Sequence, residues 1–120
     1  MPFAYLARRA RSLMAALNGC RVLAAESHSR IHAAATLLAV VMGILVPLSG
    51  VEWAALALAI GLVWVAEGLN TALEKLADAA VPQHHELVGK AKDVSAAAVL
   101  IAAVIAVAVA IALFAPRLLG

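Results

Sequence analysis

Apolar residues run in three long stretches separated by short polar ones, and a fourth stretch at the N-terminus mixes the two. Residues 33–51 contain no charged side chain, and Pro47 and Gly50 lie near their end, where a freed backbone group can reach interfacial water. Residues 53–78 begin at Trp53, stay apolar through Ala66, and then place polar side chains at helical intervals. Residues 94–116 are uncharged and rich in alanine, closing on Phe114, Pro116 and then Arg117. Small residues of this kind favour close helix packing. A helix crosses a hydrocarbon layer of roughly 30 Å with roughly 20 predominantly apolar residues, so three crossings are predicted.

The segment 3–31 sets Arg8, Arg9, Arg11, Arg21 and Arg30 among Leu, Ala, Val and Met. It predicts an amphipathic helix on the membrane surface, with arginines toward anionic headgroups and an apolar face dipping below them. The loop 81–93, VPQHHELVGKAKD, contains Pro82 as a breaker and Gly89 as a turn. The expected fold is therefore an all-α membrane protein, one domain over residues 1–120, with an N-terminal surface helix and three transmembrane helices.

Composition strengthens the membrane reading. The chain is 66% hydrophobic and 13% charged, whereas soluble domains are usually under about half apolar. A core of this size contributes little alone, so packing of helices on one another or on other copies is the expected source of stability. A formal charge of +2 with only five aromatic residues gives no footing for nucleic acid. Cys20 is the single cysteine, so no internal disulfide can form. LNGC at 17–20 has the look of a lipoprotein cleavage box, but the apolar run before it is shorter than the roughly 7-residue minimum of a signal core.

Charge also orients the chain. Three crossings put Lys75, Lys90 and Lys92 on the side of the N-terminal arginines and leave Arg117 opposite with Glu52. By the positive-inside rule the basic side is cytoplasmic. Glu26, Glu67, Glu74, Asp78, Glu86 and Asp93 gather toward that same face.

The residues that demand an explanation lie in VWVAEGLNTALEKLAD, residues 63–78. At about 100° per residue, Glu67, Asn70, Glu74 and Asp78 share one stripe of roughly 80°. Carboxylates at membrane depth are rare and usually face a protein interior or a wet cavity, which marks them as functional candidates. A plainer reading stands beside this one, in which Glu74 and Asp78 mark the solvated end of the helix. Acids beside lysines at an interface suit two chemistries. One is phosphoryl transfer, in which carboxylates hold a divalent cation, lysines offset phosphate charge and a further carboxylate takes a hydroxyl proton. The other is proton or ion relay in a small transporter subunit. No GxxxxGK[ST] or GxGxxG motif is present.

AEGLNTALEKLAD followed by HHELVGKAKDVSAAAVL resembles the prokaryotic diacylglycerol kinase family, small three-helix membrane enzymes that include undecaprenol kinases. The shared pattern is E-x-x-N-x-x-x-E, then H-E/P-L and A-K-D, with an E-x-x-x-R element at Glu26 to Arg30, over roughly residues 8–115. The resemblance implies a homotrimeric bundle in the bacterial inner membrane. Its active sites would lie at subunit boundaries on the cytoplasmic face, transferring the γ-phosphate of ATP to the primary hydroxyl of a lipid. Residue by residue, it implies that Glu67 is the catalytic base and that Glu26 and Glu74 hold Mg²⁺ with ATP. Asn70 is the polar residue between the two glutamates, with Asp78 and Arg30 in support. Lys92 and Asp93 form the ATP-contacting pair of A-K-D, His84 and His85 border the nucleotide, and Arg8 is a basic nucleotide contact.

The chain departs from the family pattern at Ala15, where an aromatic residue is expected, at Ala96, where some members have serine, and in a link from Gly19 to Glu26 that is one residue short. His28 and His32 stand at i, i+4, a spacing able to ligate zinc but also ordinary for interfacial histidines. ESHSRIH resembles the undecaprenol kinase branch somewhat more than the diacylglycerol branch. The acceptor, diacylglycerol or undecaprenol, stays open at this point.

Overall fold

The computed structural model describes residues 1–120 as four helices: α1 (Pro2–Ala24), α2 (Ser27–Leu45), α3 (Gly50–Ala80) and α4 (Glu86–Leu119). The last three are each long and apolar enough to cross a membrane. The chain divides into two compact units, Met1–Ile31 and His32–Gly120.

In the first unit, α1 begins with Pro2 in its first turn, where the missing N–H is harmless, and continues through alanine, leucine and arginine, all strong helix formers. None of its residues is buried. The single helix expected over 3–31 is in fact two. The chain turns at Ala25 and Glu26, where the Ala25 N–H reaches back to the Arg21 and Val22 carbonyls and the Glu26 N–H to Leu23. Ser29, buried in α2, donates its hydroxyl to the same Leu23 carbonyl at 2.5 Å. A serine side chain thus adds a second hydrogen bond to a carbonyl in the last turn of α1, beside that of the Glu26 N–H.

The second unit is organised by α3 and α4, which pack along one another. Ser49 starts α3 through a reciprocal capping box: its hydroxyl accepts from the Glu52 N–H at 3.2 Å, and the Glu52 carboxylate accepts from the Ser49 N–H at 3.1 Å. The same carboxylate holds the end of α4, with Arg117 Nη1 and Nη2 at 2.6 and 2.7 Å from its two oxygens. This bidentate fork joins the two residues that the charge pattern had left together on the far side. Just inside it lies the apolar core of Leu56, Leu113 and Phe114, with Met42, Trp53 and Ile60 packed around.

Helix ends differ from the sequence expectation for identifiable reasons. α2 stops at Leu45 rather than at 51, and the chain passes through Pro47 before Ser49 opens α3. The loop expected over 81–93 is confined to 81–85, because His85 Nδ1 accepts the Leu87 N–H and starts α4 early. Gly89 is helical, its N–H bonded to the His85 carbonyl, and is no turn. At the other end α4 passes through Pro116 to Leu119, and Arg117 Nη1 covers the Leu113 carbonyl at 2.7 Å. Large apolar side chains such as Leu37, Leu58, Leu69, Leu100 and Val107 remain exposed, as a bundle in lipid requires.

Gly43 of α2 is buried where the Trp53 indole crosses it, and a Cβ there would lie 2.6 Å from Trp53 Cη2. Overpacking of this kind costs about 1–3 kcal/mol. Gly43→Ala is therefore expected to lower the unfolding midpoint in detergent, and Trp53→Leu, which removes the ring, should relieve that loss. An unchanged midpoint in Gly43→Ala would contradict the close approach.

Candidate active site

α3 carries the polar stripe, and the structure splits it in two. Glu67, Asn70 and Thr71 are buried, whereas Glu74 and Asp78 are exposed. Thr71, at i+4 from Glu67, belongs to the same face and was not singled out from sequence, since threonine also suits an ordinary apolar helix. Glu67 is only 2% exposed. A carboxylate so placed needs a partner, because isolated burial of charge is prohibitive.

α2 supplies that partner. His32 Nε2 lies 3.2 Å from Glu67 Oε2. The imidazole is itself held from α3, where the Trp64 ring stands edge-on to it at a centroid distance of 6.0 Å and an interplanar angle of 66°. Trp64 Nε1 donates to Thr36 Oγ1 at 3.0 Å, and Thr36 Oγ1 donates to the His32 carbonyl at 2.7 Å. Four side chains from two helices thus form one closed assembly. The sequence offered His32 only as half of an i, i+4 pair with His28. No three of the chain's His, Cys, Asp and Glu side chains converge as a ready-made metal site.

One turn past Glu67, Asn70 Oδ1 is buried and accepts no hydrogen bond. Buried acceptors are normally satisfied, so this oxygen is a position where a ligand, ion or water would be stabilised. Glu74 follows at i+4 on the same helix face with its carboxylate exposed. Two oxygen donors on neighbouring turns are the hard-ligand chemistry that suits Mg²⁺, which needs one or two carboxylates when phosphate supplies the remaining oxygens.

At the end of α3, Asp78 pairs with Lys92 of α4 at 2.5 Å. Lys92 and Asp93 therefore sit at the same end of the second unit as the stripe. His84 is exposed in the 81–85 connection, and His85 spends its Nδ1 on the α4 cap. Arg8, Glu26 and Arg30 belong to the first unit; Glu26 is half-buried at the turn between α1 and α2, and Arg8 and Arg30 are exposed.

The sequence matches a family pattern over most of the chain. A sequence model of the prokaryotic diacylglycerol kinase family matches residues 14–114. The chain belongs to this family. It is 40% identical over 93 residues to an undecaprenol kinase of Bacillus subtilis, covering 78% of this chain and 76% of the relative. It is 42% identical over 98 residues to a diacylglycerol kinase of Synechocystis, covering 81% of this chain and 56% of that longer relative. A diacylglycerol kinase of Escherichia coli is 39% identical over 82 residues, covering 68% of this chain and 67% of the relative.

The protein is thus a membrane lipid kinase, which decides between the two chemistries that acids and lysines at an interface had left open. In this kinase the orphaned oxygen of Asn70 separates a structural role from a functional one. Replacing an unsatisfied polar group by an apolar one of similar shape is near neutral or stabilising. Asn70→Leu should keep or raise the unfolding midpoint in detergent while lowering phosphoryl transfer. A falling midpoint with unchanged specific activity would make Asn70 a structural residue.

Proposed function

We propose that the protein transfers the γ-phosphate of ATP to the primary hydroxyl of a membrane lipid at the cytoplasmic face of the bacterial inner membrane. The carrying observation is Glu67, a carboxylate buried in a helix otherwise suited to lipid and hydrogen-bonded to His32. A lipid hydroxyl is the substrate group suited to that apolar helix, and the γ-phosphate meets it from the exposed end of the stripe. Glu67 accepts the hydroxyl proton as the hydroxyl oxygen attacks the γ-phosphorus, and the bond from that phosphorus to the bridging oxygen breaks, releasing ADP. General-base action of this type contributes about 10²–10⁴-fold.

The nucleotide half of the site uses the exposed end. Glu74 and the Asn70 oxygen would be the donors of the second unit for Mg²⁺ carried by ATP, and Glu26 would be a further carboxylate on the family resemblance. Mg²⁺ would supply charge neutralisation at the phosphates. Lys92 offsets phosphate charge, and its pairing with Asp78 keeps the ammonium at this end of α4. Asp93, His84, His85 and Arg8 complete the nucleotide contacts, with Arg30 in support. Homotrimerisation covers part of the apolar surface that one chain leaves exposed.

The acceptor is diacylglycerol, giving phosphatidic acid, or undecaprenol, giving undecaprenyl phosphate. The curated relatives include both activities by name. Purified protein in micelles with γ-labelled ATP should label at least one of the two lipids in the presence of Mg²⁺; a protein that labels neither is not this enzyme. Glu67→Gln should lower kcat by about 10²-fold or more with little change in KM for ATP, whereas Glu74→Gln should raise that KM as well. Identical effects of the two changes on both constants would contradict the division of roles.

A further inference from the structure

We propose that His32 is the positioning residue for the Glu67 carboxylate, an inference that rests on the reading of Glu67 as the base. The final torsion of a glutamate side chain is broad and roughly two-fold, so a buried carboxylate is not oriented by its own rotamer preferences. A hydrogen bond to one named oxygen restricts that freedom. His32 Nε2 makes this bond to Glu67 Oε2 at 3.2 Å. With the proton on Nε2 the imidazole donates and the carboxylate accepts.

The histidine can orient the carboxylate only if it is itself fixed. Its ring rests against the edge of Trp64, which lies one turn before Glu67 on the same helix. Its backbone carbonyl accepts from Thr36, whose hydroxyl oxygen in turn accepts from Trp64 Nε1. The assembly leaves α3 at Trp64, crosses to α2 through Thr36 and His32, and returns to α3 at Glu67. Each member has a partner on the opposite helix or one turn away on its own. A histidine that merely filled space beside an apolar helix would need none of these contacts. The side chain of His32 is 17% exposed and that of Glu67 3%, so the bond lies where water competes weakly.

The consequence is a loss of turnover rather than of nucleotide binding when His32 is changed. Hydrogen bonds to a charged group contribute enough that His32→Leu should lower kcat by about ten- to a hundredfold, with KM for ATP within about twofold of wild type. His32→Gln, which keeps a donor near the Nε2 position, should restore most of kcat. In a Glu67→Gln background His32→Leu should cost nothing further, because the group it orients is gone.

Wild-type kcat in His32→Leu, equal losses in His32→Leu and His32→Gln, or an undiminished loss in the Glu67→Gln background would each overturn the assignment. A leucine variant that fails to fold leaves the test to His32→Gln and to a measurement on the intact protein. The ring ¹⁵N resonances of His32 in detergent micelles should move on Glu67→Gln, and resonances that stay in place would overturn the pairing. That arm needs no turnover. A wild-type protein that phosphorylates no lipid would defeat the kinase reading, and the ¹⁵N comparison would still decide the contact.

Discussion

The bond between His32 and Glu67 is the interaction on which the rest of the second unit depends. An ionisable group buried in a membrane helix destabilises the fold unless another polar group meets it, and the hydrogen bond must have good geometry to offset desolvation. His32 satisfies this from α2, and Trp64 and Thr36 hold His32 in place. The requirement fixes the register of α2 against α3 at one level, because a shift of a single residue would turn the histidine off the Glu67 face. At the opposite end the Gly43 and Trp53 contact fixes the same pair of helices by shape. One helix pair is thus specified by polarity at one end and by close packing at the other.

α4 is held to α3 by a similar division. The fork from Arg117 to Glu52 and the core of Leu56, Leu113 and Phe114 secure one end, while Asp78 and Lys92 meet at the other. The end with the fork carries the buried apolar core and one ion pair. The end with the stripe leaves Glu74 exposed and Asn70 Oδ1 unsatisfied, which is where a protein must keep room for substrates. Glu67 and Glu74 are about two turns, or roughly 10 Å, apart along the helix axis. On the proposed mechanism that separation spans the boundary between a lipid acceptor and a water-soluble donor.

Much of this was legible in the sequence because membrane helices announce themselves by length and the stripe by period. Three spans, the shared face of Glu67, Asn70, Glu74 and Asp78, and the placement of Glu52 and Arg117 on one side all follow from spacing and charge; that the two pair is seen only in the structure. The helix ends did not, since they depend on single side chains acting as caps: Ser29 on the Leu23 carbonyl, His85 on the Leu87 N–H. His85 illustrates the difficulty, because the motif that marks it for the nucleotide is silent about its work on the backbone. His32 was visible only as a neighbour of His28, since contact with a residue 35 positions away is a property of helix packing. A signal was present in principle: His32 heads one span at the end where the antiparallel span carries its deepest carboxylate.

The most direct measurement of the central claim, that the acceptor hydroxyl is received at the buried carboxylate of α3, is photolabelling with an acceptor lipid bearing a diazirine on the carbon beside its hydroxyl. Adducts should map by mass spectrometry to residues 63–71 of α3 and to the start of α2 around His32 and Thr36. Adducts confined to the far end, around Leu113 to Arg117, would contradict it.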